Sequence, residues 1–283
     1  MSESCHCLSL YGPSLAERVC RRLAALLLAF VVIGMTACSG GGGSASGASG
    51  PAPTPVAGNA DITLFFMGNS HTDFHDVPGT VASLVRAARP GRTVLAEQAP
   101  GYLFLDERLN DAPTLNRLNS RRWSAVILQA QKYSSSGQFT YSTAEAEELV
   151  RIARRQGAQP VMFPEWPRQG VAETQRIFDL HLAIARAAPA CVAPIGQAWD
   201  VAARRAPEIV LHAADGNHST PAGAYLAAVV LAATLTGAVP TDFPAVSLPS
   251  VDAGTQQRLR AAAAEALQVH PPRSHCPGDP LLP

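Results

Sequence analysis

Residues 62–73 read Ile62-Thr63-Leu64-Phe65-Phe66-Met67-Gly68-Asn69-Ser70-His71-Thr72-Asp73. The apolar run with its β-branched and aromatic side chains predicts a buried strand over Ile62–Met67. Gly68-Asn69-Ser70 then breaks it, and polar residues take over. A strand that is apolar on both faces belongs in a parallel sheet covered by helices on both sides. Downstream the same alternation recurs. Further strands are expected at Thr93–Glu97, Ser124–Gln129, Gln159–Phe163 and Ala190–Ile195. Between and after them, helical spacing is expected at Val81–Ala88, Thr143–Gln156, Val171–Ala187, Gln197–Arg205, Pro221–Thr236 and Asp252–Gln268. Strands alternating with helices predict one α/β domain over residues 61–270, a three-layer α/β/α sandwich with a five-stranded parallel sheet, followed by a Pro-rich tail over 271–283.

Composition agrees. Of 283 residues, 47% are hydrophobic and 16% charged, enough apolar material for a sizeable core. Lys+Arg and Asp+Glu both number 22, so no basic excess exists to neutralise phosphates, and nucleic acid is excluded as the main partner. Residues 23–34 form a twelve-residue apolar run preceded by Arg18, Arg21 and Arg22, the pattern of a secretory leader and too short to span a bilayer comfortably. Met35-Thr36-Ala37-Cys38 follows, and it resembles a bacterial lipoprotein cleavage box, with Met35 where that pattern usually has Leu. The resemblance implies a signal peptide over 1–37, lipidation of Cys38, and a membrane-anchored protein of the cell envelope facing the periplasm or the exterior. An ordinary leader with an incidental cysteine is the alternative. Residues 38–60 add a Gly/Ser/Pro-rich, uncharged tether. Past the leader, Cys38, Cys191 and Cys276 remain of six cysteines, and Cys191 with Cys276 is the expected disulfide in an oxidising compartment.

In parallel α/β sheets, reactive groups gather beyond the C-terminal ends of the strands. Polar residues accumulate there: Gly68 to Asp73, Gln98-Ala99-Pro100-Gly101-Tyr102, Gln129 to Tyr133, and Pro164-Glu165-Trp166. Late in the chain stands Asp215-Gly216-Asn217-His218-Ser219. A serine hydroxyl needs a base within hydrogen-bond reach, and the base needs an orienting acceptor. Ser70 is the candidate nucleophile, His218 the base and Asp215 the acid, with His212 as a competing base. For the oxyanion, the N–H groups of Ser70 and Gly101 and the side-chain amide of Gln129 are candidate donors. Two plainer readings stand beside these: Ser70 as a helix cap, and Asp215 to Ser219 as a turn only. His71, Tyr102, Tyr133 and Trp166 are candidate substrate contacts. His75 is read as a loop polar group or a substrate contact, and His181 as a helix-surface residue. No metal and no cofactor is expected, since no helical two-His ligand spacing is present.

Gly68-Asn69-Ser70 after the first strand, Gly101 after the second, an amide after the third, and Asp215-x-x-His218 before the last large helices together resemble the four blocks of the SGNH (GDSL-like) hydrolases. The resemblance covers most of residues 62–235. It implies a flavodoxin-like fold and ester hydrolysis through an acyl-enzyme on Ser70. Gln129 departs from the usual Asn, and with Ala222-Gly223-Ala224-Tyr225-Leu226 is similar to a bacterial branch that uses Gln. Acylated carbohydrate, such as O-acetyl groups on envelope or extracellular polysaccharide, or a small acyl ester is the substrate class that the resemblance implies. A catalytically inactive envelope-binding lipoprotein of the same fold, and an O-acyltransferase using the same triad, remain open as alternatives.

Overall fold

The computed structural model describes residues 60–283. The expected leader, Cys38 and almost all of the tether lie outside the described residues. In chain order the strands are β1 (Ile62–Met67), β2 (Val94–Gln98), β3 (Ala125–Leu128), β4 (Gln159–Met162) and β5 (Cys191–Val192). The helices are α1 (Ser70–Asp73), α2 (Val77–Ala88), α3 (Leu105–Arg108), α4 (Ala112–Asn119), α5 (Ala144–Arg155), α6 (Thr174–Ala187), α7 (Ile195–Arg205), α8 (Pro221–Thr236) and α9 (Ala253–Val269).

All five strands are parallel, in the order β2-β1-β3-β4-β5. Alternation along β1 explains the three layers. Leu64 and Phe66 join one core with α2, α7, α8 and α9, while Phe65 and Met67 join the other with α5 and α6. Helix α8 is apolar on every side because it is buried continuously from Gly223 to Thr236. Its first turn approaches so closely that a Cβ on Gly223 would lie 2.5 Å from the Leu211 carbonyl and 2.6 Å from the Trp199 ring. The strand order reverses between β1 and β3, and such a switch point opens a crevice at the strands' C-terminal ends.

Local structure departs from the sequence expectations at several places. Strand β5 stops at Val192, because Pro194 has no N–H for a ladder and instead precedes α7. The short helices α1, α3 and α4 were not foreseen, as pieces of four to eight residues carry little periodicity. Helix α2 begins at Val77, where the Asp76 carboxylate accepts the Gly79 N–H at 2.9 Å. His181 is a correction: it is 1% exposed, not on the surface. Its Nδ1–H donates to the Ile177 carbonyl at 2.8 Å, and burial pushes its pKa down to about 4.

Cys191 and Cys276 form a disulfide with a Cα–Cα distance of 5.1 Å across 85 residues of chain. It anchors the Pro-rich tail beside β5, where the Val192 N–H donates to the Pro272 carbonyl at 2.9 Å. Arg154 of α5 grips Asp279 with both terminal guanidinium nitrogens, at 2.8 and 3.0 Å. Closing so long a loop stabilises by about 2–4 kcal/mol, so Cys276→Ser should lower Tm by roughly 5–15 °C. Circular dichroism melts of the variant and the oxidised parent check this, and identical melting would contradict it.

Candidate active site

Ser70 opens α1 directly after β1. The cap itself is Asn69, whose side-chain oxygen accepts the His71 N–H at 3.0 Å, so Ser70 is free of the capping role. The Ser70 Oγ lies 2.8 Å from His218 Nε2. On the other side of the ring, His218 Nδ1 lies 2.5 Å from Asp215 Oδ2. Because a carboxylate only accepts, Nδ1 carries the proton and Nε2 presents its lone pair to the serine. Asp215 also accepts the N–H groups of Asn217 and His218, both at 2.9 Å. The hydrogen bond from His218 is the largest of several influences that hold the Asp215 carboxyl well below the usual carboxylate range. The loop is therefore both a turn and a dyad: its ends pair as a bridge between His212 and Ser219, and Gly216 at φ +68° makes the reversal. His212 is turned away from Ser70, with Nε2 donating to the Pro167 carbonyl at 2.7 Å. The competing base is thus excluded by geometry.

Two residues tie the loops together. His75 Nε2–H donates to the Ser219 carbonyl at 3.1 Å, linking the serine segment to the histidine loop. Arg108 of α3 is fully buried. One of its terminal nitrogens donates to the Gly68 and Gly101 carbonyls, each at 2.7 Å. The other donates to the Pro100 carbonyl at 2.6 Å and the Thr114 hydroxyl at 2.8 Å. A single guanidinium therefore fixes the end of β1 against the loop after β2. That loop carries Gly101 at φ +71°. Among the described residues, the N–H groups of Ser70 and Gly101 have no protein acceptor, so both are available as anion donors. A Cβ on Gly68 would fall 2.1 Å from the Thr72 hydroxyl and 2.7 Å from Gln129 Oε1, so this position admits only glycine.

Comparison with solved structures identifies the fold. A protein from Slackia heliotrinireducens, described as a candidate SGNH hydrolase, is 27% identical with a TM-score of 0.50, over 62% of this chain and 98% of that one. The chain has the SGNH hydrolase fold. A DUF4886 family protein from Bacteroides uniformis has the same fold at 19% identity and a TM-score of 0.61, over 74% of this chain and 95% of that one. No protein-family model and no curated protein matches the chain.

Within this SGNH fold, two of the remaining candidate residues, Gln129 and Trp166, take places other than those expected. Gln129 is corrected from oxyanion donor to internal brace. It has no exposed surface, its Oε1 accepts the Asn69 N–H at 2.9 Å and the Thr72 hydroxyl at 3.0 Å, and its Nε2 donates to Glu165 at 2.8 Å. Trp166 is likewise no substrate contact. It is 2% exposed, stacks on Trp199 at 4.5 Å, and supports the histidine loop by donating to the Asn217 carbonyl at 2.9 Å. His71 is buried between Trp166 at 5.0 Å and His218 at 5.1 Å. Burial first, and His218 second, push its pKa down to about 4. It is therefore a neutral neighbour that adds no positive charge beside His218. Tyr133 is half-buried, and burial followed by the Glu165 charge raises its hydroxyl. Tyr102 stays 56% exposed, with its hydroxyl donating to Asp73. Phe74 was missed, although it sits just four residues past Ser70. It stacks on His218 at 4.5 Å while remaining 41% exposed. Arg108 was missed as well, since nothing in its sequence neighbourhood distinguishes it from a solvated helix arginine.

Proposed function

We propose that the protein is a serine hydrolase of carboxylic esters. The reading rests on one observation above all: the unbroken run from Ser70 Oγ to His218 at 2.8 Å and on to Asp215 at 2.5 Å. Ser70 Oγ attacks the ester carbonyl carbon while His218 Nε2 takes its proton. The carbonyl oxygen becomes an oxyanion facing the N–H groups of Ser70 and Gly101. Asp215, ionised at any pH near neutrality, holds the imidazolium that forms. Collapse expels the alcohol, which leaves with the proton from His218, and Ser70 remains acylated. A water molecule then attacks the acyl carbon, giving its proton to His218, and His218 returns that proton to Ser70 Oγ as the bond to the acyl carbon breaks and the acid departs.

Acetyl esters of an envelope or extracellular polysaccharide are the proposed substrate. Exposed Phe74 and Tyr102 beside the site offer flat faces against which a sugar ring packs. The proposed anchor at Cys38 and its tether would hold this domain at the envelope surface, near such polymers. The test is turnover of p-nitrophenyl esters of graded chain length, with acetate release from an O-acetylated polysaccharide in parallel. Hydrolysis favouring acetyl over long acyl chains is the expected result. Absence of turnover on every ester would refute the hydrolase reading, and a preference for long chains would refute the acetyl assignment.

A further inference from the structure

Glu165 closes the segment after β4 and takes no part in the chemistry above, yet it ends a chain of polar contacts that begins at the nucleophile turn. The Asn69 backbone N–H is a fixed donor, so the atom facing it must be the Gln129 oxygen. The Thr72 hydroxyl also donates to that oxygen. The Gln129 Nε2 is thereby forced toward Glu165, whose Oε2 accepts at 2.8 Å. The amide has little slack, because Gly68 passes so close that even a Cβ would lie 2.7 Å from its oxygen. We propose that ionised Glu165 is a positioning residue which, through the Gln129 amide, holds the Asn69 peptide and with it the N–H of Ser70 in place for the oxyanion. This rests on the serine-hydrolase reading.

A carboxylate accepts only, so it enforces one sense of the amide. Protonation replaces the charge-assisted bond with a weaker neutral one and makes one Glu165 oxygen a donor. The amide is then free to turn over, which would set its NH₂ against the Asn69 N–H, donor against donor. The groups facing Glu165 are Gln129, Tyr133, Arg168 and Glu173. Arg168 is already engaged with Glu173 at 3.1 Å and so offers Glu165 incomplete compensation. Burial, with the Glu173 charge adding to it, pushes the Glu165 carboxyl up to about 7 against the opposing pull of Gln129. The ionised form that holds the turn is thus lost as pH falls through neutrality.

The experiment is the pH profile, from about pH 5 to about pH 9, of the rate at which an alkyl fluorophosphonate inactivates the protein. In the parent, protonation of Glu165 should appear as an inflection near neutral pH across which the rate falls about tenfold toward acid. Glu165→Gln and Gln129→Met each break the relay at a different point, and in both that inflection should vanish whatever the absolute rate. A merely structural role would change melting without removing the inflection. An inflection retained in either variant, or none in the parent, would overturn the proposal. Failure of the parent to react at any pH would instead refute Ser70 as an activated nucleophile, and the relay with it.

Discussion

Ser70→Ala should lower turnover of an activated acetyl ester by about 10⁴–10⁶-fold, because residues that act as a unit fail together once one is removed. Nothing else in the described structure supplies a second alcohol to His218. The imidazole Nε2 faces Ser70 alone, and its other nitrogen is held by Asp215. Ser70 is also spared a structural duty, since Asn69 caps α1 and Gln129 braces the turn from the Asn69 N–H. The variant should therefore fold and melt like the parent. Comparing kcat on p-nitrophenyl acetate with thermal unfolding separates the two effects. A variant that keeps more than about a tenth of parental turnover would contradict the assignment.

Arg108→Met should produce the second large effect, on activity and on stability together. Removing the guanidinium leaves the Gly68, Pro100 and Gly101 carbonyls and the Thr114 hydroxyl without their common donor in a buried place. Loss of such a buried hub costs about 3–5 kcal/mol. It also frees the Gly101 loop from the end of β1, so one oxyanion donor loses its position, and kcat should fall about 10²–10³-fold. Arg108→Lys should not restore the rate, since one ammonium cannot reproduce a planar fork that reaches four acceptors. Parental Tm and parental kcat in Arg108→Met would show that the loop is held by other means.

The sheet was legible because its central strands are apolar runs, and Ser70 was legible because it stands where the first of them, Ile62–Met67, ends. Asp215 and His218 follow no strand, and the Asp-Gly-Asn turn with the need of a hydroxyl for a base is what marked them. The supporting residues were less legible. Residue type alone does not say which polar group will be buried, because that depends on what the fold brings opposite it. Arg108 joins the carbonyl of Gly68, 40 residues earlier, to those of Pro100 and Gly101 in the loop just before it, and Gln129 meets an N–H 60 residues earlier. Trp166 occupies a loop after a strand, a position suited to substrate, yet its flat face is taken by Trp199 of α7. His181 read as surface because its helix neighbours include Asp179 and Arg186, while its own side chain points inward. Gln129 and the crowding His71 do not obstruct the Ser70, His218 and Asp215 run. One is an internal brace and the other an uncharged neighbour.

The central claim is that His218 activates the Ser70 hydroxyl as a nucleophile. The most direct measurement is reaction of the intact protein with an alkyl fluorophosphonate, followed by peptide mapping of the adduct by mass spectrometry. Covalent modification of Ser70, lost in His218→Ala, is the predicted result. Modification elsewhere, or labelling of Ser70 that proceeds equally well without the imidazole, would contradict it.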